Sequence, residues 1–185
     1  MQHKKWKIIS RKDVSPSKWF PITKEEVEIP TGKKVDYYKT ELANVAMMVA
    51  ITKDKELIFV KQYKHGIGEV CFEFPAGRIE KNNTAKQTAV IELKEETGIE
   101  IDESQLVKIA ELWTEPSKST VRVTGFLVTD VELTGEQDLE ETEQIEVVKV
   151  PLSEVNNLLL SGELHASDTL ALLLLVKTKY PKYFM

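Results

Sequence analysis

The hydrophobic residues of this chain occur in short runs separated by polar turns, and this pattern predicts a set of β-strands. Two strongly apolar segments, residues 43–51 and 56–62, are typical of buried strands and are joined by a polar turn. Three further strands are expected later in the chain, near residues 106–113, 121–129 and 144–150. The apolar segments therefore indicate a chain rich in β-strands.

The pattern differs at the two ends of the chain. Residues 1–40 alternate in short polar and apolar steps around a turn at Gly32, which predicts a small β-rich N-terminal arm. The remaining segment, residues 41–185, is expected to form the main domain. It ends in two predicted helices, one capped by Ser153 and ending by Gly162, the other capped by Ser167 or Asp168.

A central helix over residues 84–97 is indicated at both of its ends. Thr84 followed three residues later by Gln87 is a capping-box pattern, and Gly98 is placed where a left-handed residue would end the helix. Strands on both sides of this helix, followed by helices at the end of the chain, predict an α/β sandwich of mixed sheets with a small N-terminal β arm.

The central helix carries three carboxylates, Glu92, Glu95 and Glu96, which its geometry places on one side. Such a cluster repels itself unless a cation neutralises it. Oxygen ligands suit Mg²⁺ or Mn²⁺, and no histidine or cysteine is near them in the sequence. The alternative is an ordinary solvated helix end, because runs of charge usually face water.

A turn directly before the helix favours the metal site. Val70 to Phe74 alternate as a strand does, and Pro75 and Gly77 then bend the chain. The bend allows backbone carbonyls near Ala76 to face the carboxylates of the helix. The carbonyl of Ala76 is therefore a candidate metal ligand.

Length and composition limit the possible functions. A chain of 185 residues suits one well-buried domain with an extension and is too short for two ordinary domains. A net charge of −5 argues against a nucleic-acid partner, which would require a basic surface. The longest apolar run, Leu170 to Val176, is far shorter than the roughly 20 residues that a membrane span requires. We expect no membrane partner and a cytoplasmic location.

The single cysteine, Cys71, excludes an internal disulfide. Its place in a predicted strand favours a buried structural thiol over a nucleophile. The expected compartment is therefore a reducing one.

At the turn and the helix the chain resembles the Nudix hydrolases. Their box reads G, five residues, E, seven residues, then R-E-U-x-E-E-x-G-U, where U is a bulky aliphatic residue. Seven positions of this chain match it, namely Gly77, Glu92, Leu93, Glu95, Glu96, Gly98 and Ile99. Two do not, because Asn83 stands in place of the first glutamate and Ile91 in place of the arginine.

The two departures predict a weakened box. The resemblance implies that the arginine would hold the glutamates in position while the glutamates hold the metal. Losses of such supporting residues typically lower affinity or activity about 10- to 100-fold. Asn83 and Ile91 replace both members of the supporting pair together, so no buried charge is left unpaired.

Beyond the box, the chain is similar to the branch of the family that hydrolyses ADP-ribose and other nucleoside diphosphate sugars. Its marks cover most of the chain in the right order and are "SKWF", "IPTGKKVDYY", "IFVKQYKHG", "FEFPAG", "PSKST" and "GELHASDTLALL". The resemblance implies a Mg²⁺- or Mn²⁺-dependent hydrolysis of ADP-ribose to AMP and ribose 5-phosphate. It also implies a Nudix-type α/β/α fold and a homodimer in which the N-terminal arm takes part.

The resemblance assigns roles to the carboxylates. Glu92 and Glu96 are the expected metal ligands, with Glu95 beside them in the catalytic cluster. The segment "DLEETEQIEV" corresponds to a loop that provides the general base, here Glu141, and a further metal ligand, here Glu143. The alternative for that segment is a solvated acidic hairpin.

The resemblance also assigns residues to the substrate. Lys64 stands where the family usually has an arginine that contacts the diphosphate, and Arg78 is the other cation near the phosphates. Trp19 and Phe20 are expected to stack on the base, and Pro116 belongs to a loop expected near the terminal ribose. A plain surface lysine and buried structural aromatic residues are the alternatives for Lys64 and for the aromatic pair.

The sequence leaves two functions open. The first is the metal-dependent nucleoside diphosphate sugar hydrolase. The second is a catalytically weak or inactive Nudix module that binds a nucleotide sugar or a protein partner. Asn83 and Ile91 favour the second, whereas the set of acids at the expected positions favours the first.

Overall fold

The structure is a computed structural model that describes residues 4–184. The chain divides into two compact units, which are described separately. The first unit contains the residues up to Ala43 together with Trp113–Val121, and the second contains Asn44–Leu112 together with Arg122 onwards. The division that we predicted at residue 40 stays a prediction.

The first unit is built on a three-stranded antiparallel sheet in the order β1-β2-β3. The strands are β1 (Lys7–Asp13), β2 (Ile22–Glu28) and β3 (Lys34–Thr40). Gly32 has a φ of 85° in the turn between β2 and β3, which confirms the predicted hairpin. Every residue of β1 is exposed, so the sheet presents an open edge.

The second unit contains a seven-stranded mixed sheet. Its central order is β10-β5-β4-β9-β8, with β6 paired to β5 and β7 paired to β4. The β4–β9 pair is parallel, and the pairs of β5 with β4, β6 and β10 are antiparallel. The strands are β4 (Val45–Thr52), β5 (Glu56–Lys64), β6 (Glu69–Glu73), β7 (Ala76–Arg78), β8 (Val107–Trp113), β9 (Arg122–Val131) and β10 (Ile145–Pro151).

The two faces of this sheet are covered by different helices. Alternate residues of β4 point to opposite faces, so Met47 and Val49 belong to one apolar cluster and Ala46 and Met48 to the other. The first cluster includes residues of α2 (Val155–Ser161) and α3 (Ser167–Lys179), and the second includes residues of α1 (Ala85–Thr97). This layering confirms the predicted mixed α/β sandwich.

The predicted ends of the terminal helices are only partly correct. Gly162 ends α2 with a φ of 79°, as expected. Ser153, however, lies inside a 3₁₀ turn, Leu152–Glu154, that leads into α2, so its hydroxyl does not cap that helix. Ser167 is the first helical residue of α3, whose N-cap position is Ala166, and no side chain caps it.

No helix within residues 4–184 is both long enough and apolar enough to cross a membrane. Cys71 is buried in β6, as the sequence predicted. Its burial raises the pKa of the thiol, which favours the protonated form.

Candidate active site

The helix α1 is fixed at both ends by the residues that predicted it. The Thr84 hydroxyl accepts a hydrogen bond from the Gln87 backbone N–H at 3.2 Å, and the Gln87 side chain accepts one from the Thr84 N–H at 2.8 Å. Gly98 adopts a φ of 71°, and its N–H donates to the Lys94 carbonyl at 2.8 Å. The carboxylates therefore project from a helix whose limits are set by local hydrogen bonds.

Glu96 lies against the turn that precedes α1. Its side chain is buried, with 5% of the residue exposed, and its Oε2 accepts a hydrogen bond from the Ala76 backbone N–H at 2.9 Å. The sequence predicted the Ala76 carbonyl as a metal ligand, and that role stays a prediction. The group of Ala76 that meets the carboxylate here is its N–H.

Glu92 lies over the glycine of the same turn. A Cβ atom built on Gly77 would be 1.8 Å from Glu92 Cδ and 1.9 Å from its Oε1. No side chain larger than hydrogen leaves room for this carboxylate. The close approach explains the glycine at position 77, since no positive φ requires it.

The surroundings of these carboxylates disfavour their negative charge. Burial raises the pKa of Glu96 to about 8, and the charge of Glu92 adds to the rise. Burial also raises the pKa of Glu92 to about 7, with the charges of Glu95 and Glu143 adding to it. The pKa of Glu95 is raised as well, first by burial and then by nearby carboxylates. A cation bound beside these carboxylates would stabilise their ionised form.

The acidic loop between β9 and β10 is anchored on the C-terminal end of α1. The Gly135 N–H donates to the Gly98 carbonyl at 3.0 Å, and the Asp138 N–H donates to the Glu95 carbonyl at 2.9 Å. The Gln137 side chain donates to the Glu96 carbonyl at 2.7 Å. These bonds satisfy backbone oxygens that the helix end would leave free, and they hold the loop beside the carboxylates.

The loop brings some of its acids to the cluster. The charge of Glu143 raises the pKa of Glu92, Glu95 and Glu96, and that of Glu140 raises the pKa of Glu92 and Glu95. Glu143 Oε2 also accepts a hydrogen bond from the Glu140 N–H at 3.2 Å. Glu141 is exposed, and its charge is not one of the leading causes of the raised pKa values of the helix carboxylates.

Lys64, at the end of β5, is the nearby cation. Its ammonium is 2.5 Å from Glu73 Oε1 and donates to Gln62 Oε1 at 2.6 Å. Its charge lowers the pKa of Glu96, opposing the larger effect of burial. Arg78, the other predicted cation, is exposed in β7.

The two departures from the box lie at positions of different exposure. Asn83 is partly buried just before α1, where its N–H donates to the Glu80 carbonyl at 3.0 Å. Ile91 is 41% exposed on α1 and adjoins Glu92 in sequence. Ile91 is therefore an uncharged residue on the open side of the helix.

The donor set suits a hard divalent cation. Within residues 4–184, no three His, Cys, Asp or Glu side chains form a set that could hold a metal ion unaided. Mg²⁺ is commonly bound through one or two carboxylates, several waters and substrate phosphates. Glu96, which is buried, and Glu92, which is partly buried, both have raised pKa values and fit such an ion as its protein ligands.

The remaining predicted residues belong to the first unit. Trp19 is 70% exposed with the Lys18 ammonium 4.6 Å from its ring centre, and Phe20 is 50% exposed. The alternative of buried structural aromatic residues is therefore wrong. Pro116 lines a cavity of about 320 Å³ together with Tyr37 and Trp113.

Sequence reasoning missed two residues of the second unit that act on the site. Gln137 joins the acidic loop to α1, and Glu73 pairs with Lys64. The register of β5 and β6 places Glu73 opposite Val60, on the same face as Lys64. Alternation along the two strands could have indicated that face, but the pairing register was not available from the sequence.

Comparison with known proteins gives consistent results. A family model described as "NUDIX domain" matches residues 41–173. The ADP-ribose pyrophosphatase of Bacillus subtilis (strain 168) is 30% identical over 164 residues, covering 88% of this chain and 88% of that protein. The ADP-ribose pyrophosphatase of Mycobacterium tuberculosis (strain ATCC 25618 / H37Rv) is 26% identical over 168 residues, covering 90% of this chain and 80% of that protein.

A solved structure described as "Crystal structure of ADP compounds hydrolase" has the same fold. It superposes with a TM-score of 0.86 at 23% sequence identity, over 98% of this chain and 97% of that one.

Proposed function

Since this chain belongs to the Nudix hydrolase family, we propose that it hydrolyses the pyrophosphate bond of a nucleoside diphosphate sugar, converting ADP-ribose to AMP and ribose 5-phosphate. Two carboxylates carry this proposal. Glu92 and Glu96 are held against the turn before α1 by the Ala76 N–H and by the space that Gly77 leaves. Their raised pKa values are those of groups that require a cation to stay ionised at neutral pH.

The proposed cation is Mg²⁺ or Mn²⁺. Its protein ligands would be Glu92 and Glu96, to which the family resemblance adds Glu143 and the turn before α1 adds the Ala76 carbonyl. Within the described residues the three carboxylates do not form a complete site by themselves, so waters and substrate phosphates would complete the coordination. When bound, a divalent cation neutralises phosphate charge and lowers the pKa of water. The raised pKa values of the helix carboxylates and the approach of Glu143 support this ligand set.

The proposed reaction is an in-line displacement at phosphorus. A water oxygen forms the new bond to one phosphorus, and the bond from that phosphorus to the bridging oxygen breaks. The water proton passes to the carboxylate of Glu141, and the bridging oxygen leaves with the other phosphate. Glu95 adds a further negative charge to the catalytic cluster, beside Glu92. Lys64 and Arg78 bind the phosphates of the substrate.

The substrate class rests on the relatives, two of which are described as ADP-ribose pyrophosphatases. We assign base stacking to Trp19 and Phe20, whose exposed rings are available for it, and a ribose contact to Pro116. We also propose a homodimer in which the arm takes part, supported by the fully exposed strand β1. The proposed location is the cytoplasm.

The test is AMP release from ADP-ribose with Mg²⁺. We expect the wild-type protein to release AMP and the Glu96→Gln variant to lose about 100-fold or more in kcat, because a carboxylate at the metal is lost. Glu163→Gln, an exposed position in another part of the second unit, is the matched control and should behave as wild type. Equal rates for wild type and Glu96→Gln would overturn the enzymatic function.

The alternative is a module that binds a nucleotide sugar without hydrolysing it, and the uncharged Ile91 beside Glu92 favours it. Calorimetric titration of ADP-ribose in the presence of Mg²⁺, followed by analysis of the nucleotide, separates the two. Binding of intact ADP-ribose with no AMP after prolonged incubation supports the module.

Two adjacent acids in the loop provide a matched pair for the base. We propose Glu141 by the family resemblance, whereas the charge of Glu140 acts on Glu92 and Glu95. Glu140→Gln and Glu141→Gln are made separately, and the variant that lacks the base should lose about 100- to 10,000-fold in kcat. A large loss of kcat in Glu140→Gln alone would show that Glu140, and not Glu141, is the general base.

A further inference from the structure

The ammonium of Lys64 does not take the partner that its strand position offers. Glu69 is directly opposite Lys64 in the β5–β6 pair, where an ordinary cross-strand ion pair would form. Within the described residues, the ammonium instead pairs with Glu73, at 2.5 Å, and no ion pair joins it to Glu69. Lys64 therefore turns back along the sheet instead of extending from the hairpin.

The direction of this turn is set by the sheet. Val60, Gln62 and Lys64 alternate onto one face of β5, and Glu73 lies on that face because it is paired with Val60. This is the face that α1 covers, since Ile58 on the same side of β5 belongs to the apolar cluster of α1. The charge of Lys64 consequently acts on Glu96.

Glu73 is well suited to hold a cation. Its side chain is only 15% exposed, whereas that of Lys64 is 41% exposed. Leaving a mostly buried carboxylate without a partner is costly, so the pair favours one fixed position of the flexible lysine. Gln62 adds a second acceptor at 2.6 Å.

The two contacts do not occupy all the hydrogen-bond donors of the Lys64 ammonium. A lysine ammonium has three N–H donors, and Glu73 and Gln62 accept two of them. Among residues 4–184 no other acceptor binds this ammonium, so the third N–H can donate to an oxygen outside these two residues. A phosphate oxygen brought to the carboxylate cluster would be such an acceptor.

We propose that Glu73 is a positioning residue, which holds the Lys64 ammonium with Gln62 so that its third N–H meets a phosphate oxygen of the nucleoside diphosphate substrate. This inference rests on the proposed function for the identity of the ligand. Lysine lacks the rigid fork of an arginine, and Glu73 and Gln62 supply the orientation that the side chain does not have by itself.

The test is the dissociation constant of ADP-ribose, measured by calorimetry in EDTA, alongside AMP release with Mg²⁺. We expect Glu73→Gln to weaken binding about tenfold and to raise KM with kcat changed less than about twofold. Lys64→Gln should weaken binding at least as much. Glu69→Gln removes the directly opposite carboxylate and is the matched control, with binding expected to be unchanged.

The double variant Lys64→Gln with Glu73→Gln separates positioning from a general structural effect. If Glu73 acts through Lys64, the double variant binds ADP-ribose as Lys64→Gln does. If the two losses multiply, Glu73 acts in some other way and the inference is overturned. If Glu73→Gln does not fold, Gln62→Met takes its place, because it removes the second acceptor with little change in volume. Its affinity for ADP-ribose is then compared with those of Lys64→Gln and of the double variant Lys64→Gln with Gln62→Met.

The two proposals fail differently. If the wild-type protein binds ADP-ribose but releases no AMP, and the Glu73→Gln variant binds ADP-ribose more weakly, the hydrolase is contradicted and the positioning role is not. If the wild-type protein releases AMP and the Glu73→Gln variant does so with the same rate and the same KM, the positioning role is contradicted and the hydrolase is not.

Discussion

The carboxylate of Glu92 occupies the space in which any residue other than glycine at position 77 would place its Cβ atom. The distance from that Cβ position to Glu92 Cδ is 1.8 Å, less than half of an ordinary contact. The turn can therefore pack against the Glu92 carboxylate of the helix only because residue 77 has no Cβ atom. The glycine of the box is explained by a close approach and not by an unusual backbone angle.

Gly77→Ala is expected to reduce activity much more than stability. The alanine methyl meets only the flexible end of Glu92, which can swing away, so the free energy of unfolding should change by less than about 1 kcal/mol. The displaced carboxylate should lower kcat for AMP release about 100-fold. Urea unfolding and steady-state kinetics measure the two effects.

Gly66→Ala is the matched control for this substitution. A Cβ on Gly66 meets nothing within 4 Å, and its φ is not positive. Both quantities should stay at their wild-type values. A Gly77→Ala protein with full activity would mean that Glu92 has room for a second productive position.

The helix and its carboxylates could be predicted because local residues determine them. The capping box of Thr84 and Gln87 and the left-handed Gly98 are effects within a few residues, and the predicted 84–97 became Ala85–Thr97. The family resemblance, which was read from the box and from the order of the later motifs, is likewise confirmed.

Contacts that depend on strand register could not be predicted in the same way. The Ala76 N–H faces Glu96 because β7 pairs with β4, and Glu73 meets Lys64 because β6 pairs with β5 at one register. The wrong cap at Ser153 has a simpler cause. A 3₁₀ turn preceded α2, and the serine fell inside it.

The metal-free protein should lose stability as the pH rises. A carboxyl whose pKa is higher in the folded state binds extra protons there, so its stabilising effect is present below its unfolded value and is lost as the pH passes the folded value. For Glu92 and Glu96 this loss runs from near their ordinary value of 4.5 up to about 7 and about 8.

Urea unfolding in EDTA from about pH 5 to about pH 9 measures this dependence. The decline should be smaller in Glu96→Gln, which does not ionise, and unchanged in the exposed Glu163→Gln. Excess Mg²⁺ should reverse the decline at high pH, since metal ligands must be deprotonated. Stability that rises with pH in EDTA, equally in all three proteins, would contradict the raised pKa values.

Gln137 should support activity through the position of the acidic loop. Gln137→Met keeps the volume but removes the donor to the Glu96 carbonyl, at 2.7 Å, and to the Ile145 carbonyl, at 3.2 Å. We expect a loss of about 1 kcal/mol in stability from these hydrogen bonds. The loop carries Glu143, so kcat/KM should fall about tenfold.

Gln144→Met is the control, because Gln144 is exposed in the same loop. It should leave kcat/KM unchanged. Equal effects of the two substitutions would show that the loop is held by its backbone contacts with α1 and not by the side chain of Gln137.

Restoring the box should raise turnover. Ile91→Arg adds a cation beside Glu92 at a position that is 41% exposed, so the longer side chain can be accommodated. Asn83→Glu restores the first glutamate of the box and is combined with Ile91→Arg, because the resemblance treats the two positions as one supporting pair. The double variant should exceed the wild type by up to about tenfold in kcat, because the arginine orients the glutamates.

Lys94→Arg, which places an arginine at an exposed position of the same helix, is the control and should leave kcat unchanged. A double variant no faster than wild type would mean that the anchored loop and the Ala76 N–H already hold the glutamates, so that the missing arginine has no remaining role.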